Sequence, residues 1–132
     1  MPLEITGLYA ALSALVLTWL SFKAGIMRGR KKISVGDGGD IELVEAMRRH
    51  ANAVEYIPIA LILLGAMELN GANAAFLHAL GAVLVLTRIA HPLGLKADNM
   101  ASPLRAIGAG GTALVIVVAA VYTLWQVAQS LL

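Results

Sequence analysis

The stretch ITGLYAALSALVLTWLSF, Ile5 to Phe22, contains no charged side chain and is long enough to span a bilayer as a helix. Glu4 precedes it, and Lys23, Arg28, Arg30, Lys31 and Lys32 follow it. A secretory signal has the reverse order, with basic residues ahead of the apolar run. The segment is therefore expected to be a retained spanning helix over about 3–27 that enters the membrane from outside. The rest of the chain has the same character: 59% of its residues are hydrophobic and 14% charged, against roughly 25% charged in a soluble domain. With 132 residues there is room for one domain, and small domains bury the smallest fraction of their surface, so lipid is the solvent for the excess. The absence of cysteine excludes a disulfide framework and thiolate ligation of a metal by the protein.

Three further helices follow. Ser34-Val35-Gly36-Asp37-Gly38-Gly39-Asp40 is a glycine-rich loop, with Asp40 placed to N-cap a helix over 41–69. Asn70-Gly71-Ala72-Asn73 makes a tight turn into a helix over 73–92, closed at Pro92 or Gly94. Ser102-Pro103 reads as an N-cap and first helical position, opening a helix over 103–130. The fold class is thus all-α, an integral membrane four-helix bundle. All ten Lys and Arg residues fall in Lys23–Lys32, Arg48–Arg49 and Arg88–Arg105, at one end of the predicted helices. Apolar spans separate these clusters, which argues against a nucleic-acid surface. The positive-inside rule places both basic loops in the cytoplasm and both termini outside.

Gly7, Ala11, Ala14, Thr18, Ser21 and Gly25 form a stripe of small residues on the first helix, and Ala106, Gly110 and Ala113 form one on the fourth. Such stripes let helices approach closely in lipid, either within one bundle or between subunits. On the second helix Glu45, Arg48, Asn52 and Glu55 share a face, with Ile59, Ile62 and Ala66 beyond them. Arg88 and His91 share a side of the third. Counted from Glu68 at the outer surface, Glu55 lies roughly 20 Å in, and Arg88 on the antiparallel helix reaches a similar level. A buried charge costs several kcal/mol without a partner, and intramembrane ionisable groups mark functional sites by default. A Glu55–Arg88 ion pair would tie the helices together; a polar ligand with both charge signs would also account for Arg48, His50 and Asn52 at that level. His50 and His91 lack a third ligand at metal-binding spacing, so no metal site is expected.

The run Arg48-Arg49-His50-Ala51-Asn52-Ala53-Val54-Glu55-Tyr56-Ile57-Pro58 resembles the second-helix signature of the MAPEG family, membrane-associated proteins of eicosanoid and glutathione metabolism. In that signature an arginine is followed four residues on by asparagine, then by glutamate and usually tyrosine, here Arg48, Asn52, Glu55 and Tyr56. Arg88 fits the family's further arginine position on the third helix. The four-helix layout agrees too, so the resemblance covers nearly the whole chain and is nearest to the small bacterial branch.

The resemblance implies a homotrimer in the bacterial inner membrane, with glutathione as co-substrate held between subunits near the cytoplasmic side. Glu55 would pair with the glutathione ammonium, Arg48 and Arg88 with its carboxylates, and Asn52 with its backbone. Tyr56 would close the pocket, and Arg28 or Arg30 would add a cation. His91 stands where an aromatic residue is common in the relatives, and Leu95 where the well-studied transferases have a tyrosine. Arg105 is then the candidate for stabilising the thiolate, because a nearby cation lowers a thiol pKa. The implied activity is glutathione S-transferase or peroxidase chemistry on lipophilic small molecules, electrophiles or hydroperoxides arriving from membrane lipid. Leu95 and His91 favour the alternative of a non-catalytic lipid- or ligand-binding scaffold of the same fold. A small proton-coupled exporter would instead need Glu55 free to titrate.

Overall fold

A computed structural model of the chain describes residues 3–131. They form four helices, α1 (Glu4–Lys31), α2 (Ile41–Leu69), α3 (Ala74–Gly94) and α4 (Pro103–Leu131), each long and apolar enough to cross a membrane. At 1.5 Å per residue, even the 21-residue α3 extends about 32 Å, enough for a hydrocarbon core of roughly 30 Å.

Local chemistry sets the ends. α1 runs one turn past Met27 because Arg28, Arg30 and Lys31 complement the negative end of its dipole. Lys32 then closes it in the left-handed region, φ 56°, with the Ile33 N–H donating to the Arg28 carbonyl at 3.1 Å. Gly38 and Gly39 also take positive φ in the following loop, where a side chain would be strained. Asp40 accepts from the Leu43 N–H at 3.0 Å and sits 2.7 Å from Lys31, so one carboxylate caps α2 and ties it to the end of α1. Those contacts hold the Asp40 carboxyl below its ordinary value of 3.8, the Lys31 bond contributing most. At the opposite end, Gly71 at φ 77° turns the chain and Asn73 caps α3, accepting from Ala75 and Phe76. Glu68 caps another helix altogether: its two oxygens accept from the Ile5 and Thr6 N–H groups at 3.0 and 2.7 Å, filling the open N-terminus of α1.

α2 is the central element, packed against the other three helices, with α1 also touching α3, and α3 touching α4. Its buried side chains, Leu43, Ala46, Ala53, Ile57, Ala60, Leu64 and Met67, recur at three, four or seven, one stripe of an α-helix, with Gly65 buried beside them. Leu64 and Met67 join Leu77, Leu80, Leu84, Val115 and Ala119 in the largest apolar cluster. The small-residue stripes pack inside nothing: Gly7, Ala11, Ala14, Thr18, Ser21 and Gly25 are all exposed, as are Ala106, Gly110 and Ala113. A close approach within the chain occurs instead where Gly108 of α4 meets the backbone of His91 on α3; a Cβ at Gly108 would lie 2.5 Å from the His91 Cα.

That contact has no room for a methyl group. Gly108→Ala is expected to destabilise the chain by about 1–3 kcal/mol through overpacking of the α3–α4 seam. Gly29→Ala, whose Cβ meets nothing, should be neutral or stabilising; thermal unfolding of both variants in detergent checks the contrast. For Asp40, a depressed carboxyl contributes stability that is present above 3.8 and lost as the pH falls through its lower folded-state value. Asp40→Asn keeps the cap and loses the charge. It should remove the acid-dependent loosening of the Leu43 amide, read by hydrogen exchange across that range.

Candidate functional site

At the end of the bundle carrying both long loops, α2, α3, the α3–α4 loop and the first turn of α4 border a cavity of about 270 Å3. Arg48, Asn52, His91 and Arg105 line it, with Glu45, Leu95, Lys96 and Met100. Six of the residues singled out in the sequence therefore meet there, Arg48, Asn52, His91 and Arg105 among them as candidate site residues.

Arg88 lies directly behind. It is 2% exposed and is the largest fully buried side chain. One guanidinium nitrogen donates to the Asn52 side-chain oxygen at 2.9 Å and another to the Gly108 carbonyl at 2.7 Å. The ring of Tyr56 lies 5.7 Å away, on the guanidinium's approach for a cation–π contact. Among the described residues no carboxylate pairs with it, and its Nε has no partner. An ion pair between Glu55 and Arg88 does not form. Their levels match, but residues three apart on a helix differ by about 60° in direction, so Asn52 points at Arg88 and Glu55 points past it. Glu55 lies instead 3.6 Å from Arg48, two turns away on the same line, and both side chains are about half exposed.

The Arg88 contact also settles which way Asn52 faces. Arginine only donates, so the amide oxygen of Asn52 must be turned towards it, leaving the NH2 group as the donor offered to the cavity. The cavity thus presents Arg48, Lys96, Arg105 and an amide donor. Its one carboxylate, Glu45, is engaged, accepting from the Ala97 N–H at 2.7 Å and from Arg49 at 2.9 Å. Arg49 in turn donates to the Leu95 carbonyl at 2.6 and 3.0 Å, so Glu45 and Arg49 clamp the α3–α4 loop over the cavity. The i,i+4 spacing of that pair is readable in sequence. Its targets, about fifty residues on, are not.

The remaining candidates lie elsewhere. Glu55 and Tyr56 are on the exposed face of α2. Arg28 lines a separate groove with Ser21, Gly25, Met47 and His50, its guanidinium donating to the Gly36 carbonyl at 2.8 Å. Arg30 lies in a third recess, between α1 and α2.

Comparison with known proteins places this arrangement. The model of the MAPEG family matches residues 6–125, which takes in α2 and α3 whole, most of α1 and α4, and every residue lining the cavity. The chain belongs to the MAPEG family. Among curated proteins it is similar to the inner membrane protein YecN of Escherichia coli strain K12 and of strain CFT073. Each is 47% identical over 90 residues, covering 68% of this chain and 69% of the relative. This MAPEG chain is accordingly an integral membrane protein, and its buried arginine spans the seam of three family helices.

Removing Asn52 would leave the Arg88 charge short of an acceptor in a dry seam. Asn52→Ala is expected to cost about 1.5–3 kcal/mol, the range for a hydrogen bond to a charged group. Adding Arg88→Met should recover much of it, because the charge needing the acceptor is then gone. Thermal unfolding of the two single variants and the double variant in detergent measures that coupling.

Proposed function

We propose that this MAPEG protein is a homotrimeric glutathione-binding protein of the bacterial inner membrane, with its basic loops in the cytoplasm. It joins the glutathione thiol to lipophilic electrophiles or uses it to reduce lipid hydroperoxides. The observation that carries this reading is the charge of the cavity: three cations face it, a fourth lies behind Asn52, and its only carboxylate is engaged by the loop. Such a site suits a ligand with two carboxylates and an ionisable thiol, since arginine forks match carboxylates bidentately. Glu55, on the same face as Arg48, is the partner for the ligand's ammonium.

Two features favour a second copy as part of the site. Glu55 and Tyr56 lie on the exposed face of α2, and about 270 Å3 falls below the roughly 300–1,000 Å3 usual for small-molecule pockets. The exposed small-residue stripes of α1 and α4 allow close approach between copies. Arg28, in a groove flanked by Ser21 and Gly25 of that stripe, is the cation a neighbouring copy would bring.

In the conjugation, the thiol loses its proton to water and Arg105 stabilises the resulting thiolate. The sulfur attacks the electrophilic carbon, and the leaving group departs with its electron pair. In the peroxidase reaction the thiolate attacks the terminal oxygen of the hydroperoxide, giving an alcohol and a sulfenic acid. A second glutathione converts the sulfenic acid to disulfide and water.

Calorimetric titration of glutathione into the detergent-purified protein tests the binding. Saturable binding is expected, weakened about tenfold or more by Glu55→Gln through loss of a charge-assisted contact. Arg105→Met should raise the pKa of the bound thiol, read from its ultraviolet thiolate absorbance. Absence of binding would assign the polar cluster to structure alone. Binding without turnover of any electrophile or hydroperoxide would favour the scaffold reading, for which Leu95 in the cavity wall is the motivating feature.

A further inference from the structure

A second recess, of about 330 Å3, opens between the last turns of α1 and the first turns of α2, at the same basic end of the bundle. Leu20, Ile26 and Met27 form its apolar floor, and Lys23, Arg30 and Arg49 its rim. No carboxylate lines it. The cations at this end differ in what they do. Lys31 is paired with Asp40 and Glu42, Arg28 holds loop carbonyls, Arg48 faces Glu55, and Arg49 is neutralised by Glu45. Lys23 and Arg30 have no ion pair among the described residues; Lys23 rests its ammonium 4.6 Å from the centre of the Trp19 ring. Two free positive charges thus border an apolar trough on a helix that crosses the membrane.

The position matters as much as the charge. At about 100° per residue, Lys23, Ile26 and Arg30 lie on the side of α1 away from the small-residue stripe that ends at Ser21 and Gly25. A copy of the chain packed on that stripe would leave the trough facing lipid. Basic side chains at this depth sit at headgroup level, where each is worth about a fivefold enrichment of anionic lipid. A tryptophan–lysine pair beside them is of the kind that anchors at a membrane interface.

We propose that this recess binds one anionic phospholipid, its phosphodiester against Lys23 and Arg30 and an acyl chain along Leu20, Ile26 and Met27. A soluble anion would use the same two cations but has no use for the apolar floor, and the floor is what favours the lipid.

Trp19 supplies the reporter. The full chain carrying Trp125→Phe, so that Trp19 is its one tryptophan, is reconstituted in phosphatidylcholine with a small fraction of phospholipid brominated in its acyl chains. At equal mole fraction, brominated phosphatidylglycerol is expected to quench Trp19 several-fold more effectively than brominated phosphatidylcholine. Lys23→Gln with Arg30→Gln should abolish that preference, while Lys32→Gln, which removes a cation outside the recess, should preserve it. Both lysines and Arg30 are exposed, so none of the changes opens the core. Equal quenching by the two lipids would overturn the proposal, and so would a preference that survives the double substitution. A preference erased by free glycerol phosphate would assign the recess to a soluble anion and overturn it too.

Discussion

A guanidinium buried among three membrane helices must be met by oxygen, and much of this structure follows from how Arg88 meets it. Asn52 of α2 gives one oxygen and the Gly108 carbonyl of α4 gives another, so a single side chain from α3 joins the three helices that frame the cavity. The Gly108 carbonyl can be reached because Gly108 has no side chain to hold α4 away from the His91 backbone. The same carbonyl accepts from Thr112, whose hydroxyl lies 3.0 Å from that of Thr87, extending the polar seam one turn further into the span. In lipid there is no water to substitute for any of these acceptors, so the network is a condition of the fold as well as a support for the site.

The cavity inherits its chemistry from that seam. Because Arg88 fixes the Asn52 amide, a donor is directed at whatever enters, and its positive charge adds to that of Arg48, Lys96 and Arg105. The loop that closes the cavity is held by Glu45 and Arg49, whose charges cancel each other. The remaining field is therefore positive without the clamp itself competing for a ligand. His91, 4% exposed, brings an imidazole to the cavity wall, giving that wall a flat side chain with hydrogen-bonding capacity.

The two faces of α1 divide the environment between them. The stripe from Gly7 to Gly25 offers a surface on which another helix can lie close, whereas the side with Lys23, Ile26 and Arg30 combines charge with an apolar trough. At the far end Glu68 closes the N-terminus of the same helix, so α1 is fixed to α2 at both ends, by that carboxylate cap at one and by Asp40 and Lys31 at the basic end.

The sequence by itself determined the solvent, the helices and the family. The uncharged run Ile5–Phe22, the caps Asp40 and Asn73 and the turn at Gly71 are local features, and local hydrogen bonding and hydropathy set them whatever the rest of the chain does. The common level of Glu55 and Arg88 was also legible, since it needs only the rise of two antiparallel helices from a short turn. Which of two neighbouring residues Arg88 would bond was not. That choice depends on the rotation of α2 about its axis, and the rotation is set by packing of Leu43, Ala53, Ile57 and Leu64 against three partners at once. The same holds for the clamp of Glu45 and Arg49 on the loop, for Glu68 reaching α1, and for the outward aspect of the small-residue stripes. Periodicity tells which residues share a face of a helix; only the tertiary structure decides what that face meets, because the decision is made by contacts far apart in the chain.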